Sequence, residues 1–159
     1  MNGDECFRLI KPVDIEPVLR IWDRLPFYRN NPCGDRNDPR KMPCDVVVQV
    51  KFPQEVTDLI DGLGLGGRTA RAVIRRLEPY QGIPAHVDDW MPQEASWRRF
   101  QVPLISHPDI LMRWPDDSIE LHLAPGNLYE VRFDRAHEVV NPTDVARAHL
   151  QVDQVDATV

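Results

Sequence analysis

The sequence predicts a mainly β protein, an antiparallel sandwich or jelly roll, with one or two helices near its N-terminus. Fifteen prolines in 159 residues disfavour long helices, because proline fixes φ and removes a backbone donor. Beyond position 67, short apolar and β-branched stretches alternate with turn signals, and no helical periodicity separates them. Closely spaced short strands of this kind are typical of jelly rolls, and the length suits one domain.

Seven strands are expected in the second part of the chain. They are RTARAVIRRLEPY, WRRFQVPLIS, ILMRW, SIELHL, NLYEVRF, HEVVN and VARAHLQVDQV. Four of the turns between them are marked by proline, glycine and small polar residues, in ISHPD, WPDDS, LAPGN and VNPTD. We therefore expect a jelly-roll core over residues 68–153 and a polar, frayed tail over residues 154–159.

The N-terminal 67 residues read as a helical and loop region of the same domain. Asp14 is a candidate N-cap, and one apolar helical face follows it and ends before Pro26; the face consists of Ile15, Val18, Leu19, Trp22 and Leu25. Residues 27–45 lack periodicity and form a long loop, of the sort that often covers a binding site. A strand over residues 46–52 and a short helix in PQEVTDLIDGLG come next.

The glycine run GLGLGG matches the letters of a dinucleotide-binding fingerprint. That fingerprint requires a strand before it and a helix after it. Here a helix precedes the run and a strand follows it, so we interpret the glycines as a helix end and a turn.

Composition argues against several classes of partner. The net charge is −6 and the basic residues are scattered, which disfavours nucleic acid and anionic membranes as partners. Three cysteines at irregular spacing (Cys6, Cys33 and Cys44) do not resemble a disulfide framework or a zinc site. The N-terminus has no signal-peptide pattern and no apolar run is long enough to span a bilayer, so we expect a cytoplasmic protein. No feature indicates an oligomeric state.

The stretch QGIPAHVDDW places His86 and Asp88 two residues apart. In a strand, such residues share a face with Cα atoms about 6.6 Å apart, so both can contact one metal ion; a polar loop tip is the alternative. A third ligand would come from His107, His122, His137 or His149. His137 opens a strand, and if that strand pairs with the next one around NPTD, Arg147 lies in the same cavity. Two imidazoles and one carboxylate form the facial triad of non-heme Fe(II) oxygenases.

At this point the sequence resembles the Fe(II)/2-oxoglutarate oxygenases, and within them the aspartyl/asparaginyl β-hydroxylase branch. The pattern consists of HVD at residues 86–88, a distal histidine about fifty residues later at His137, and an arginine ten residues further at Arg147. The strand RFQVPL is similar to the family's R-x-H-x-P-L, and LYEVRFDRAHEVVNPTDVARAHLQVD is similar to its distal-histidine segment. The resemblance covers roughly residues 68–153.

The resemblance implies a double-stranded β-helix, which is a cupin-like jelly roll, with Fe(II) bound by His86, Asp88 and His137. It implies that Arg147 pairs with the distal carboxylate of the co-substrate 2-oxoglutarate, and that Arg99 is a second co-substrate arginine. Gln101 stands where the family usually has histidine, and His149 shares a face with Arg147. The residues assigned to the co-substrate are therefore Arg147, Arg99, Gln101 and His149.

The implied activity is hydroxylation of an unactivated carbon with O₂, releasing succinate and CO₂. The branch points to an amino acid substrate, either free or in a peptide and similar to Asp, Asn or Pro. Candidate substrate contacts are Trp90, Trp97 and Arg113, together with the loop over residues 27–45. Two alternatives stay open: a cupin-like metalloenzyme that uses no 2-oxoglutarate, and a non-catalytic jelly-roll module that binds a metal.

Overall fold

The computed structural model of the chain describes residues 5–30, 44–88 and 96–155. Within these ranges eleven strands form two sheets, and the strand pairs are antiparallel. The strands are β1 (Phe7–Pro12), β2 (Tyr28–Asn30), β3 (Cys44–Val48), β4 (Arg68–Leu77), β5 (Ile83–His86), β6 (Trp97–Ile105), β7 (Leu111–Trp114), β8 (Ile119–Leu121), β9 (Asn127–Val131), β10 (His137–Val140) and β11 (Arg147–Val155). The helices are α1 (Glu16–Arg20) and α2 (Gln54–Gly62).

The two sheets pack face to face as a jelly roll. The larger has the strand order β1-β9-β6-β11-β4-β3-β2, and the smaller has the order β5-β10-β7-β8. Met112 and Trp114 of β7 pack against Tyr129 and Val131 of β9 at one end of the interface between the sheets. The expected mainly β jelly roll with flanking N-terminal helices is confirmed.

The three central strands of the larger sheet have one apolar and one polar face. Side chains alternate along a strand, and the apolar set faces the helices, as Phe100 and Val102 of β6 and Leu150 of β11 do. The alternate set is buried and polar, and it faces the smaller sheet; on β6 and β11 it includes Arg99, Gln101, Arg147, His149 and Asp153. The alternation therefore produces an apolar core on one side of the sheet and a polar cavity on the other.

The two helices cover the apolar face of the larger sheet. Val18 of α1 and Val56 of α2 are buried in the same cluster as Ile74 and Leu150 of the sheet. The N-cap of α1 is Ile15, without a side-chain capping bond, so Asp14 lies one residue before the expected position, where its carboxylate accepts a hydrogen bond from the Glu16 amide at 3.0 Å. No helix within the described ranges is long and apolar enough to cross a membrane.

The N-terminal region contributes more strands than expected. β1 pairs with β9 at one edge of the larger sheet, and β2 pairs with β3 at the other. The pattern of β1 is not an apolar–polar alternation, because Leu9 and Ile10 are adjacent and both exposed. An edge strand that buries neither face fully leaves little period-two signal in the sequence.

Several predicted boundaries differ from the observed ones, and two of them concern a strand end and the C-terminal tail. The strand expected over residues 46–52 ends at Val48, because Gln49–Lys51 form a 3₁₀ turn. β11 continues to Val155, so residues 154 and 155 belong to the sheet and are not part of a frayed tail. The predicted strand VARAHLQVDQV already includes them, and Gln154 donates a hydrogen bond from its amide to the Gly67 carbonyl at 3.3 Å.

Gly82 permits the close approach of β5 to β10. A Cβ atom at this position would lie 2.6 Å from the Val139 carbonyl oxygen. Gly82→Ala must therefore displace β5 from its partner, and we expect the free energy of unfolding to fall by about 1–3 kcal/mol, as for other overpacked sites. Urea denaturation measures the change.

The matched control for this variant is Gly66→Ala, since a Cβ atom at Gly66 meets nothing within 4 Å. We expect the control to retain the stability of the unmodified chain. Equal midpoints for both variants would contradict the close packing of β5 on β10.

Candidate metal centre

Three potential metal ligands meet where β5 and β10 pair. His86 ends β5 and His137 begins β10, and the two are direct partners across the strands. Their ring centroids are 4.5 Å apart. Asp88 follows the end of β5 and is held by its backbone, whose N–H donates to the Phe133 carbonyl at 3.1 Å. One ligand atom from each of the three residues lies within 4.8 Å of the others.

Both imidazoles are oriented by backbone carbonyls. His86 Nδ1 lies 2.9 Å from the Pro84 oxygen, and His137 Nδ1 lies 2.8 Å from the Arg135 oxygen. A carbonyl oxygen only accepts hydrogen bonds, so each Nδ1 carries a proton, and in the neutral ring each Nε2 keeps its lone pair. The Nε2 atoms lie 3.4 Å and 4.0 Å from the Asp88 oxygens. This arrangement, in which the second ring nitrogen fixes the tautomer, is typical of metal-binding histidines.

The protonation states of Asp88 and His137 suit metal binding. Burial alone would raise the pKa of Asp88, but His86 and the Arg99 guanidinium hold it well below its usual range. Burial lowers the pKa of His137 and so favours its neutral form. For His86 burial acts in the same direction, but hydrogen bonds to Asp88 and to the Pro84 carbonyl raise its pKa overall. A divalent cation competes for that proton, because only the neutral ring is a ligand.

Arg99 lies directly behind Asp88. Its Nη1 donates to the Asp88 carboxylate in a short contact. Its other edge forms a two-point contact with Asp153, with Nε–Oδ1 at 2.7 Å and Nη2–Oδ2 at 3.2 Å. The structure therefore places Arg99 between two carboxylates beside the metal ligands. Three of its five N–H groups are engaged by these contacts, and its expected role as a co-substrate arginine stays a prediction.

The ligands line one end of a cavity of about 240 Å³ between the sheets. Arg147 lines the same cavity and is 5% exposed. Burial, with repulsion from Arg75 added to it, lowers the pKa of Arg147 to about 9, and among the described residues no acidic side chain pairs with it. A buried guanidinium without a carboxylate partner is costly, so this part of the cavity is suited to an anion.

His149 and Gln101 adjoin Arg147. Arg147 Nη2 lies 3.0 Å from His149 Nδ1 and 3.4 Å from Gln101 Oε1. The same Nδ1 also lies 2.8 Å from Gln101 Oε1. That oxygen only accepts and the guanidinium only donates, so the neutral ring can satisfy one of these two contacts at a time. Burial first, and then Arg147, lowers the pKa of His149 well below its usual value and keeps the ring neutral.

Two buried nitrogen atoms beside Arg147 lack a hydrogen-bond partner within the described chain. They are Nε2 of His149 and Nε of Arg75, and these two residues are direct partners across β4 and β11. Both line the cavity. Buried polar atoms rarely remain unpaired, so these atoms indicate where a polar group of a ligand would bind.

The residues expected to contact substrate do not gather around the cavity as the metal ligands do. Trp97 starts β6 on the side of Arg99, but it is not among the described residues that line the cavity. Arg113 lies on the outer surface of the smaller sheet, paired with Glu120 and Glu138, so it does not reach the cavity. Trp90 and residues 31–43 of the expected loop lie outside the described residues, whereas Asn30 lines the cavity.

Of the three other histidines considered as third ligands, His149 lies beside Arg147 in the cavity and the other two lie elsewhere. His107 is in an exposed turn next to Asp109, and His122 Nδ1 contacts the Ile110 carbonyl at 3.2 Å.

Sequence reasoning missed three residues around the cavity: Arg71, Arg75 and Asp153. Arg71 and Arg75 lie on the face of β4 that adjoins Asp153 and His149 of β11. The signal was the alternation in RTARAVIRRL and VARAHLQVDQV, in which every second residue is mostly polar although both strands are central. A central strand with a polar face toward the protein interior indicates a functional cavity.

No family model and no curated protein matches the sequence. Many solved structures are similar in fold, and three of them show the range of proteins involved. A 2OG-Fe(II) oxygenase-family oxidoreductase from Burkholderia pseudomallei is 16% identical, with a TM-score of 0.64, and the match covers 88% of this chain and 78% of that one.

The viral collagen prolyl hydroxylase of Paramecium bursaria Chlorella virus-1, solved with 2OG, is 13% identical at a TM-score of 0.61, over 96% of this chain and 97% of that one. A protein described as a predicted oxalate decarboxylase, from Thermotoga maritima, is 10% identical at a TM-score of 0.51, over 84% of this chain and 95% of that one. At such low identities the comparisons establish the double-stranded β-helix fold.

Proposed function

We propose that the chain is an Fe(II)- and 2-oxoglutarate-dependent dioxygenase that hydroxylates an amino acid, free or in a peptide. One observation carries the proposal: a His86–Asp88–His137 ligand set shares a cavity with the buried and unpaired Arg147. Neither feature alone distinguishes a hydroxylase from another metalloprotein. Together they provide a site for a metal at one end of the cavity and for a carboxylate at the other.

The residues fit both groups. Two imidazole nitrogens and one carboxylate oxygen match the ligand set of non-heme Fe(II) oxygenases, which leaves coordination positions open. At the other end, Arg147 offers a planar fork suited to a carboxylate, and the unpaired nitrogens of His149 and Arg75 lie beside it. Placement in the aspartyl/asparaginyl β-hydroxylase branch rests on the sequence resemblance and is part of the proposal.

With Fe(II), 2-oxoglutarate and O₂ bound, the cofactor system supplies the oxidant for hydroxylation and yields succinate and CO₂. The protein supplies position and environment. Pro84 and Arg135 fix the two imidazoles through their carbonyls, and Asp88 remains ionised beside them. Arg147 would hold the distal carboxylate of the keto acid and fix its orientation, because a paired guanidinium restricts both distance and angle.

A metalloenzyme that uses no keto acid is the second candidate, because the fold is also similar to the protein described as an oxalate decarboxylase. In that case Arg147 would have only a structural role. Against this stands the absence of an acidic partner for Arg147 among the described residues, because a structural buried arginine is normally paired. A non-catalytic metal-binding module would differ from both candidates because it would convert no substrate.

His137→Ala removes one of the two imidazole ligands. We expect iron-dependent succinate release from 2-oxoglutarate to fall by more than about 100-fold, since even residues that only support metal ligands are worth about 10–100-fold. Succinate is quantified after incubation with Fe(II) and candidate amino acids. His107→Ala, in an exposed turn, is the control and should retain turnover; persistent turnover in His137→Ala would refute the ligand assignment.

Arg147→Gln removes the buried positive charge while keeping a polar side chain of similar reach. Loss of a buried charge pair costs about 2–5 kcal/mol, so we expect the Kd for 2-oxoglutarate to rise at least about 30-fold. Isothermal titration of the metal-loaded protein measures it.

The control for this variant is Arg76→Gln, on the other face of β4, where Arg76 pairs with Asp45. It should leave the Kd for 2-oxoglutarate unchanged. Unaltered affinity and activity in Arg147→Gln would favour the metalloenzyme that uses no keto acid.

A further inference from the structure

A chain of charged contacts leads from the candidate metal ligand Asp88 into the core of the larger sheet. Asp88 is contacted by Arg99 Nη1, and Arg99 is in turn held by both oxygens of Asp153. Asp153 is 0% exposed and Arg99 is 5% exposed. Gln151 also donates to Asp153, from Nε2 to Oδ2 at 3.0 Å.

The guanidinium of Arg99 also contacts an aromatic ring with its face. It lies over the Phe133 ring at 4.9 Å from the centroid. The carbonyl of the same Phe133 accepts the hydrogen bond from the Asp88 amide. Asp88 is thus fixed through its backbone by Phe133 and through its side chain by Arg99, and Phe133 contacts both residues.

Stability alone is a weak reason for such a buried arrangement. The desolvation of buried ions offsets much of their attraction, and apolar residues of similar size often serve as well. What the arrangement does provide is a fixed orientation of the Arg99 guanidinium. Asp153 engages Nε and Nη2, so the Nη1 corner is the part of the guanidinium that reaches the Asp88 carboxylate.

We propose that Asp153, acting through Arg99, is a positioning residue for the metal ligand Asp88. One Asp88 oxygen, Oδ2, contacts Arg99 and lies 4.0 Å from His137 Nε2, while Oδ1, which Arg99 does not contact, lies 3.4 Å from His86 Nε2. The carboxylate is thereby oriented to offer one oxygen to a metal. The inference rests on the metal site of the proposed function, and it gives Arg99 a role at the metal end of the cavity, whereas the resemblance assigned it to the co-substrate.

Asp153 also limits how strongly Arg99 competes with the metal for Asp88. A guanidinium without its own carboxylate partner can turn to make a two-point contact with Asp88. It would then occupy both oxygens of the ligand. Removing the charge of Asp153 should therefore weaken metal binding, although Asp153 itself contacts no metal.

The test is metal binding in the absence of any co-substrate. Asp153→Asn keeps the side-chain shape and removes the charge, and Arg99→Lys keeps a positive charge but loses the fork that contacts two carboxylates at once. We expect the Kd for Co²⁺, measured by titration of the metal-free protein, to rise about 10–100-fold in each variant. The visible spectrum of bound Co²⁺, which reports ligand geometry, should also change.

Glu130→Gln is the matched control. Glu130 is 3% exposed and is held in a two-point contact by Arg98, at 2.7 Å and 3.0 Å. Arg98 is adjacent to Arg99 on β6 but points to the opposite face. The control therefore removes the charge of a similarly buried, arginine-bound carboxylate without approaching Asp88, and its Co²⁺ affinity and spectrum should match those of the unmodified chain.

The outcomes separate the inference from the proposed function. If Asp153→Asn fails to fold, Arg99→Lys decides; Co²⁺ affinity and spectrum unchanged in the folded variants would overturn the positioning role. An equal loss of affinity in Glu130→Gln would overturn it too, because the effect would then be general destabilisation. If the unmodified chain binds Co²⁺ and the variants bind it weakly, but no succinate forms from 2-oxoglutarate, the positioning role stands and the proposed function fails.

Discussion

The site depends on a side-chain period of two in three adjacent strands of the larger sheet. On β4, β6 and β11 one set of side chains completes an apolar core beneath the helices, and the other set carries charge into the space between the sheets. Because successive residues must point to opposite faces, a shift of one residue in register would bury apolar groups in the cavity and charges beneath the helices. The register that forms the core therefore also forms the site.

The arginines on the polar face differ in whether a carboxylate pairs with them. Arg99 is compensated by Asp88 and Asp153, so the metal end of the cavity is ordered by contacts within the chain. Arg147, at the other end, contacts the neutral groups of His149 and Gln101, and no acidic side chain of the described residues pairs with it. This asymmetry supports the proposed division of the cavity, with a metal at the first end and a carboxylate at the second. Gln101, which replaces the usual histidine of the resembled family, offers an amide next to both Arg147 and His149.

The parts of the fold and site that were predictable have local signals. Short strands with turn residues between them indicated the jelly roll, and His86 with Asp88 two residues later indicated a ligand pair. The Arg99–Asp153 pair had no such signal, since its members are 54 residues apart in the chain and meet only because β6 and β11 align in one register. The same limit explains Arg113: its strand was predicted, but which face it occupied depended on pairing with β10.

The most direct measurement is an anaerobic titration of the protein with Fe(II) and 2-oxoglutarate, monitored by visible absorption. A keto acid chelated to Fe(II) in a protein gives a metal-to-ligand charge-transfer band. The account predicts that this band appears only when both are present and saturates near one equivalent of each. Absence of the band in folded, iron-loaded protein at saturating 2-oxoglutarate would contradict the assignment of the cavity to an iron and a keto acid.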